Sequence, residues 1–89
     1  MLLAKGRGIR ILRIVSTGQA DPSDRWQNPE DDEWVVLLSG SAGLLFEEGH
    51  RRYTMKPGDW CHIPAGTRHR VEFTDPDDPS VWIAVHFDG

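Results

Sequence analysis

Apolar and polar residues alternate along this chain in short blocks, with seven candidate strands at residues 9–15, 33–39, 42–47, 51–56, 60–64, 69–74 and 81–87. Between them lie Ser16-Thr17-Gly18, Gly40-Ser41, Glu48-Gly49-His50, Pro57-Gly58-Asp59, Ala65-Gly66-Thr67 and the stretch 75–79. Gly, Pro, Asp and Ser dominate these separators, and such residues supply positive or fixed φ and local side-chain caps. No window carries an apolar stripe at helical spacing. Short strands at near-regular intervals predict an all-β sandwich or barrel. Residues 19–32, polar and carrying Pro22 and Pro29, form the longest piece without strand periodicity. Long ordered loops of this kind are often functional.

Alternation sorts each strand into two faces. In 69–74, His69, Val71 and Phe73 share one face, opposite Arg70, Glu72 and Thr74. The first set is apolar apart from the histidine, so His69 is expected to point inward. In 33–39, Glu33, Val35 and Leu37 oppose Trp34, Val36 and Leu38. In 81–87, Trp82, Ala84 and His86 oppose Val81, Ile83, Val85 and Phe87. Strands apolar on both faces are usually covered on both. In so short a chain the second cover is expected from another copy, which predicts a homodimer.

Composition narrows the class. Eighty-nine residues suit one domain, 1–89, with a barrel over about residues 8–87; a chain of this size hides roughly two thirds of its unfolded surface. Ten basic against fourteen acidic residues give a formal charge of −4, which argues against nucleic acid or an anionic membrane as partner. The single cysteine, Cys61, cannot form an internal disulfide, so a reducing cytoplasm is the expected location. The apolar run 1–4 before Lys5 is too short for a signal peptide or membrane span.

The segment 58–69 carries the strongest chemical signal. Its Pro64-Ala65-Gly66 turn can reverse the backbone and start the next strand with His69 facing inward. A histidine so placed is a metal ligand, a general base or a polar plug. The spacing of Gly58, Pro64, Gly66 and His69 resembles the second motif of the cupins, and Glu33 and Gly40 stand at the spacing that closes the first. The strand 33–40, Glu-Trp-Val-Val-Leu-Leu-Ser-Gly, also resembles that of a subgroup of stand-alone cupins. The resemblance covers residues 8–87 and implies a double-stranded β-helix, the jelly-roll barrel.

It also implies a metal site made by two first-motif histidines, a glutamate matching Glu33 and a histidine matching His69. Counting back from Glu33, the first two positions fall on Trp26 and Asn28, or with a one-residue shift on Gln27 and Pro29. Neither reading supplies an imidazole, so the first motif is degenerate. His86 is the best replacement, since the last strand can bring it near the barrel mouth, and His62 is a possible fourth ligand. Two imidazoles with one carboxylate would suit zinc, iron, manganese or nickel and leave positions open. Without metal, a Glu33–His69 hydrogen bond is the alternative, because a buried carboxylate must be paired.

Around this set, Arg68 at the turn could hold a carboxylate or phosphate, and Trp26 and Trp60 could line the mouth. Asn28 could orient a ligand or cap its own turn. Arg70 is expected outward, paired with Glu72 or another acidic side chain; Trp34 and Trp82 are expected as core or interface anchors, Cys61 as an inert thiol and His50 in solvent. Three functions follow. The preferred one is a dimeric binding module with a pocket for a small molecule, a divalent metal ion or both, formed by Trp26, Asn28, Glu33, Arg68, His69 and His86. The others are a metal-dependent enzyme of dioxygenase or isomerase type, and a filled scaffold that binds nothing.

Overall fold

A computed structural model describes residues 1–88. Among them are eight strands: β1 (Leu2–Gly6), β2 (Ile9–Ser16), β3 (Asp32–Ser39), β4 (Ala42–Phe46), β5 (Arg51–Met55), β6 (Trp60–Ile63), β7 (His69–Thr74) and β8 (Ser80–Phe87). They form two antiparallel sheets, ordered β1-β2-β8-β3-β6 and β5-β4-β7. Neighbours distant in sequence pair within each sheet, which is the jelly-roll arrangement. Seven strands match the expected ones to within a residue at each end.

The inner faces meet over a core of Val35, Leu37, Ala42, Leu44, Phe46, Met55, Ile63 and Trp82. Burying a residue such as Leu37 or Ile63 fully contributes about 1.5–3 kcal/mol. Every residue of β4 is buried, and it is the central strand of its sheet, between β5 and β7. On the outer face of the larger sheet, Trp34 and Val36 pair with Val85 and Ile83, and all four are only half-buried. Leu38 and Trp60 are exposed beside them. The strands expected to be apolar on both faces are so.

The loop 19–31 is not loose. It lies along the free edge of β7: Asp21 N donates to Val71 O at 2.9 Å, and Gln27 and His69 exchange two backbone bonds at 2.7 and 3.0 Å. The Thr74 hydroxyl donates to Gln19 O at 2.6 Å. A sheet edge left bare would be a template for another chain, and here the chain covers its own. The same loop pins the motif turn, since Gly66 N donates to Pro29 O at 2.8 Å and Ala65 N to Asp32 Oδ1 at 2.7 Å. Gly66 itself has φ of 80°, the left-handed conformation that glycine adopts without strain.

Two expectations fail. Residues 2–6, which lie outside every candidate strand, form β1, which folds back on β2 with Gly6 opposite Ile9. All five are exposed, so an edge hairpin leaves no burial pattern to read. In β7 the strict alternation breaks: Val71 faces Leu44, but Phe73 faces Gly43, with a bulge between. The extra residue, Glu72, turns Phe73 outward onto Gly43, where a Cβ would strike its ring, and sends Thr74 inward to burial.

Candidate functional site

Antiparallel pairing sets Glu33 of β3 directly opposite His86 of β8. Opposite residues share a face, and this face is the interior. His69 reaches the same point from the other sheet. Glu33 Oε2 lies 3.2 Å from His86 Nε2, and Glu33 Oε1 lies 3.8 Å from His69 Nε2. Each oxygen thus faces one imidazole, and the carboxylate stands between the rings. The His69 side chain is only 3% exposed and that of Glu33 13%.

Second contacts fix the His69 ring. Its Nδ1 sits 2.9 Å from Thr67 O. A carbonyl can only accept, so Nδ1 carries the proton, and in the neutral ring Nε2 is left as a bare lone pair aimed at Glu33. The Phe46 ring tilts against the imidazole at 6.0 Å between centroids.

Beside this group opens a pocket of about 240 Å³. Its apolar walls are Ile14, Val35, Leu44, Ile63, Val71, Trp82 and Ala84, and its polar wall is Asp21, Gln27, Glu33 and His69, with Ser16 and Gln19 near the opening strand. Ile14 is opposite Trp82 and so faces inward, yet it is 41% exposed; this marks the rim. A second concavity of about 300 Å³, lined by Arg10, Asn28, Glu30, Asp31 and His86, shares Glu33 and Gln27 with the first.

The cupin-domain family model matches residues 12–86. The chain belongs to the cupin family. Among solved structures, it is similar to a protein of Ralstonia eutropha JMP134 provisionally named a mannose-6-phosphate isomerase, at 48% identity and a TM-score of 0.95, covering 99% of this chain and 82% of that one. It is also similar in fold to a cupin superfamily protein of Desulfitobacterium hafniense DCB-2, at 17% identity and a TM-score of 0.80, covering 100% and 75%. A third likeness is to HppE solved with iron(II), at 14% identity and a TM-score of 0.78, covering 97% of this cupin and 47% of that chain. No curated protein matches the sequence.

Against this frame of residues, several predicted members of the site fall elsewhere. His62 points outward, 45% exposed, 3.7 Å from Asp32 and stacked on Phe87. It sits one residue from Cys61 and so on the opposite face of β6; it cannot join the interior group. Arg68 is half-exposed and lies 3.6 Å from Glu47, away from both concavities. Trp26 does not line the mouth but carries the Arg70 guanidinium at 5.5 Å from its ring. Trp60 lies outside, its ring tilted against that of Trp34 at 6.1 Å between centroids. Glu72 bonds Arg52 at 3.0 Å through both oxygens, where Arg70 was expected.

Asn28 borders the second concavity. Cys61 is half-buried against the core; burial, and then the nearby Glu33 charge, push its thiol pKa up. The residues missed are Gln27 and Asp21. Gln27 fits the one-residue-shifted count from Glu33, and its Nε2 donates to Asp21 Oδ2 at 2.7 Å. The shifted register therefore places an amide at a first-motif position of this cupin.

Proposed function

We propose that this cupin is a binding module for a small molecule, held in the barrel pocket with its polar end at Gln27, Glu33 and His69. The observation that carries the reading is the pocket itself. A scaffold with a filled barrel would have no space beside a buried histidine whose Nε2 lacks a hydrogen bond. At about 240 Å³ the space is below the 300–1,000 Å³ of pockets for drug-sized ligands, so the ligand is small and mostly apolar. Binding read by quenching of tryptophan fluorescence across a panel of small molecules tests this. His69→Ala should abolish any hit, whereas His62→Ala should leave it intact.

A second reading has its own observation. The Glu33, His69 and His86 donors are of the kind that suits a divalent transition metal, and a backbone acceptor on Nδ1 is how a ligating imidazole is usually oriented. Among the described residues no group of His, Cys, Asp and Glu stands ready-made around a metal position, since the carboxylate separates the rings. Loading would therefore require Glu33 to turn aside. Elemental analysis of protein purified without a histidine tag, with a zinc, iron, manganese and nickel thermal-shift series, decides between the readings.

We further propose that residues 1–89 act as one cupin domain and pair as a homodimer through the outer face at Trp34, Val36, Ile83 and Val85. Sedimentation velocity should show a dimer that Ile83→Asp splits. A single half-buried thiol and the lack, among the described residues, of any helix long and apolar enough to cross a membrane accord with the cytoplasm.

A further inference from the structure

We infer that the pocket selects a small organic cation, a primary amine on a short apolar body, and rejects phosphate and carboxylate ligands; this rests on the binding-module reading above. The polar wall contains two carboxylates, Asp21 and Glu33, and among the described residues no lysine or arginine borders the pocket. Both arginines nearest the motif are turned away, Arg68 to Glu47 and Arg70 to Trp26. A phosphate here would meet like charge in a partly enclosed space, where Coulomb repulsion is screened poorly.

The hydrogen-bonding capacity points the same way. His69 is almost fully buried, its Nδ1 is committed to Thr67 O, and its Nε2 faces Glu33 Oε1 beyond hydrogen-bond distance. With the His69 ring neutral, two acceptors face each other here. Asp21 adds a third, since its Oδ2 takes the bonds from Gln27 and from Val71 N, while its Oδ1 accepts none among the described residues. An ammonium group has three donors and no acceptor, which matches such a wall. A carboxylate brings only acceptors at neutral pH, and phosphate brings mostly acceptors on a net negative charge. The apolar walls, Trp82 and Leu44 among them, would cover the hydrocarbon body.

The test compares three five-carbon probes of one shape by calorimetry on metal-free full-length protein: isoamylamine, isoamyl alcohol and isovalerate, with inorganic phosphate as a fourth. Isoamylamine should bind at least tenfold more tightly than the alcohol, with neither isovalerate nor phosphate binding. Glu33→Gln should erase the amine preference while retaining alcohol binding. Should that variant fail to give the wild-type circular dichroism spectrum, Asp21→Asn serves instead and should weaken the preference. Alcohol binding as tight as that of the amine, or any binding of isovalerate or phosphate to the metal-free protein, would overturn the cation inference and leave the pocket reading standing. Silence from all four probes would overturn both. Isovalerate binding only after zinc loading would overturn the inference in favour of the metal reading.

Discussion

Asp32 and Glu33 are neighbours on one strand, and each meets a histidine, yet the two pairs differ in nearly everything else. Glu33 points into the barrel toward His69 and His86. Asp32 points out toward His62, which is 45% exposed. A single step along a strand exchanges interior for solvent. The outer carboxylate is tied to the motif turn through Ala65 N, so it holds shape. The inner one borders the pocket. Residue type alone does not separate a site from a strut; the face does.

The contrast can be broken most severely from inside. His69→Ala removes a buried ring packed on Phe46 and leaves Glu33 without its inner neighbour; a loss of about 2–4 kcal/mol is expected, measured by urea denaturation, together with loss of ligand binding. Asp32→Ala forfeits the bond to the turn and should cost about 0.5–1.5 kcal/mol, with binding weakened only as far as the turn shifts His69. His62→Ala should cost less than about 0.5 kcal/mol and leave binding unchanged; a loss as large as that of His69→Ala would erase the distinction between the faces.

The finest measure is Cys61. Its thiol pKa is raised, first by burial and then by Glu33. A raised acid favours the protonated form in the fold. Its contribution to stability is therefore full below the unfolded thiol's pKa and is lost as pH rises through the folded value. Iodoacetamide should accordingly modify the folded protein more slowly than the urea-unfolded chain at pH 8.5. Glu33→Gln should quicken the folded reaction modestly, and Asp32→Asn should not.

Much of this was legible in the sequence because turns rich in Gly and Pro cut the chain into strands, and alternation within each strand then assigns faces. That logic set His69 inward and grouped Glu33 with Val35 and Leu37 and His86 with Trp82 and Ala84, while the cupin resemblance drew Glu33, His69 and His86 to one site. It failed where a local irregularity carries no compositional mark. The bulge at Glu72 reversed Phe73 and Thr74, and the edge hairpin at Leu2–Gly6 buries nothing that a pattern could show. His62 was misplaced for a different reason: its proximity in sequence to the motif outweighed its parity with Ile63, the buried residue that points the other way. Gln27 belongs to a segment without periodicity, where only docking against β7 gives its side chain a direction.

The bulge in β7 can also be regarded as a phase shift in a two-beat rhythm. Had the rhythm run unbroken, the third inward beat of the strand would have been Phe73, a bulky ring facing Ala42. One supernumerary residue sends that ring outside to lie on Gly43 and substitutes the slender Thr74, whose hydroxyl is spent on the loop. Which side chain fills the interior opposite Ala42 is thus a matter of counting as much as of composition. A variant with Glu72 deleted, restoring the beat, would be expected to swallow its own phenylalanine.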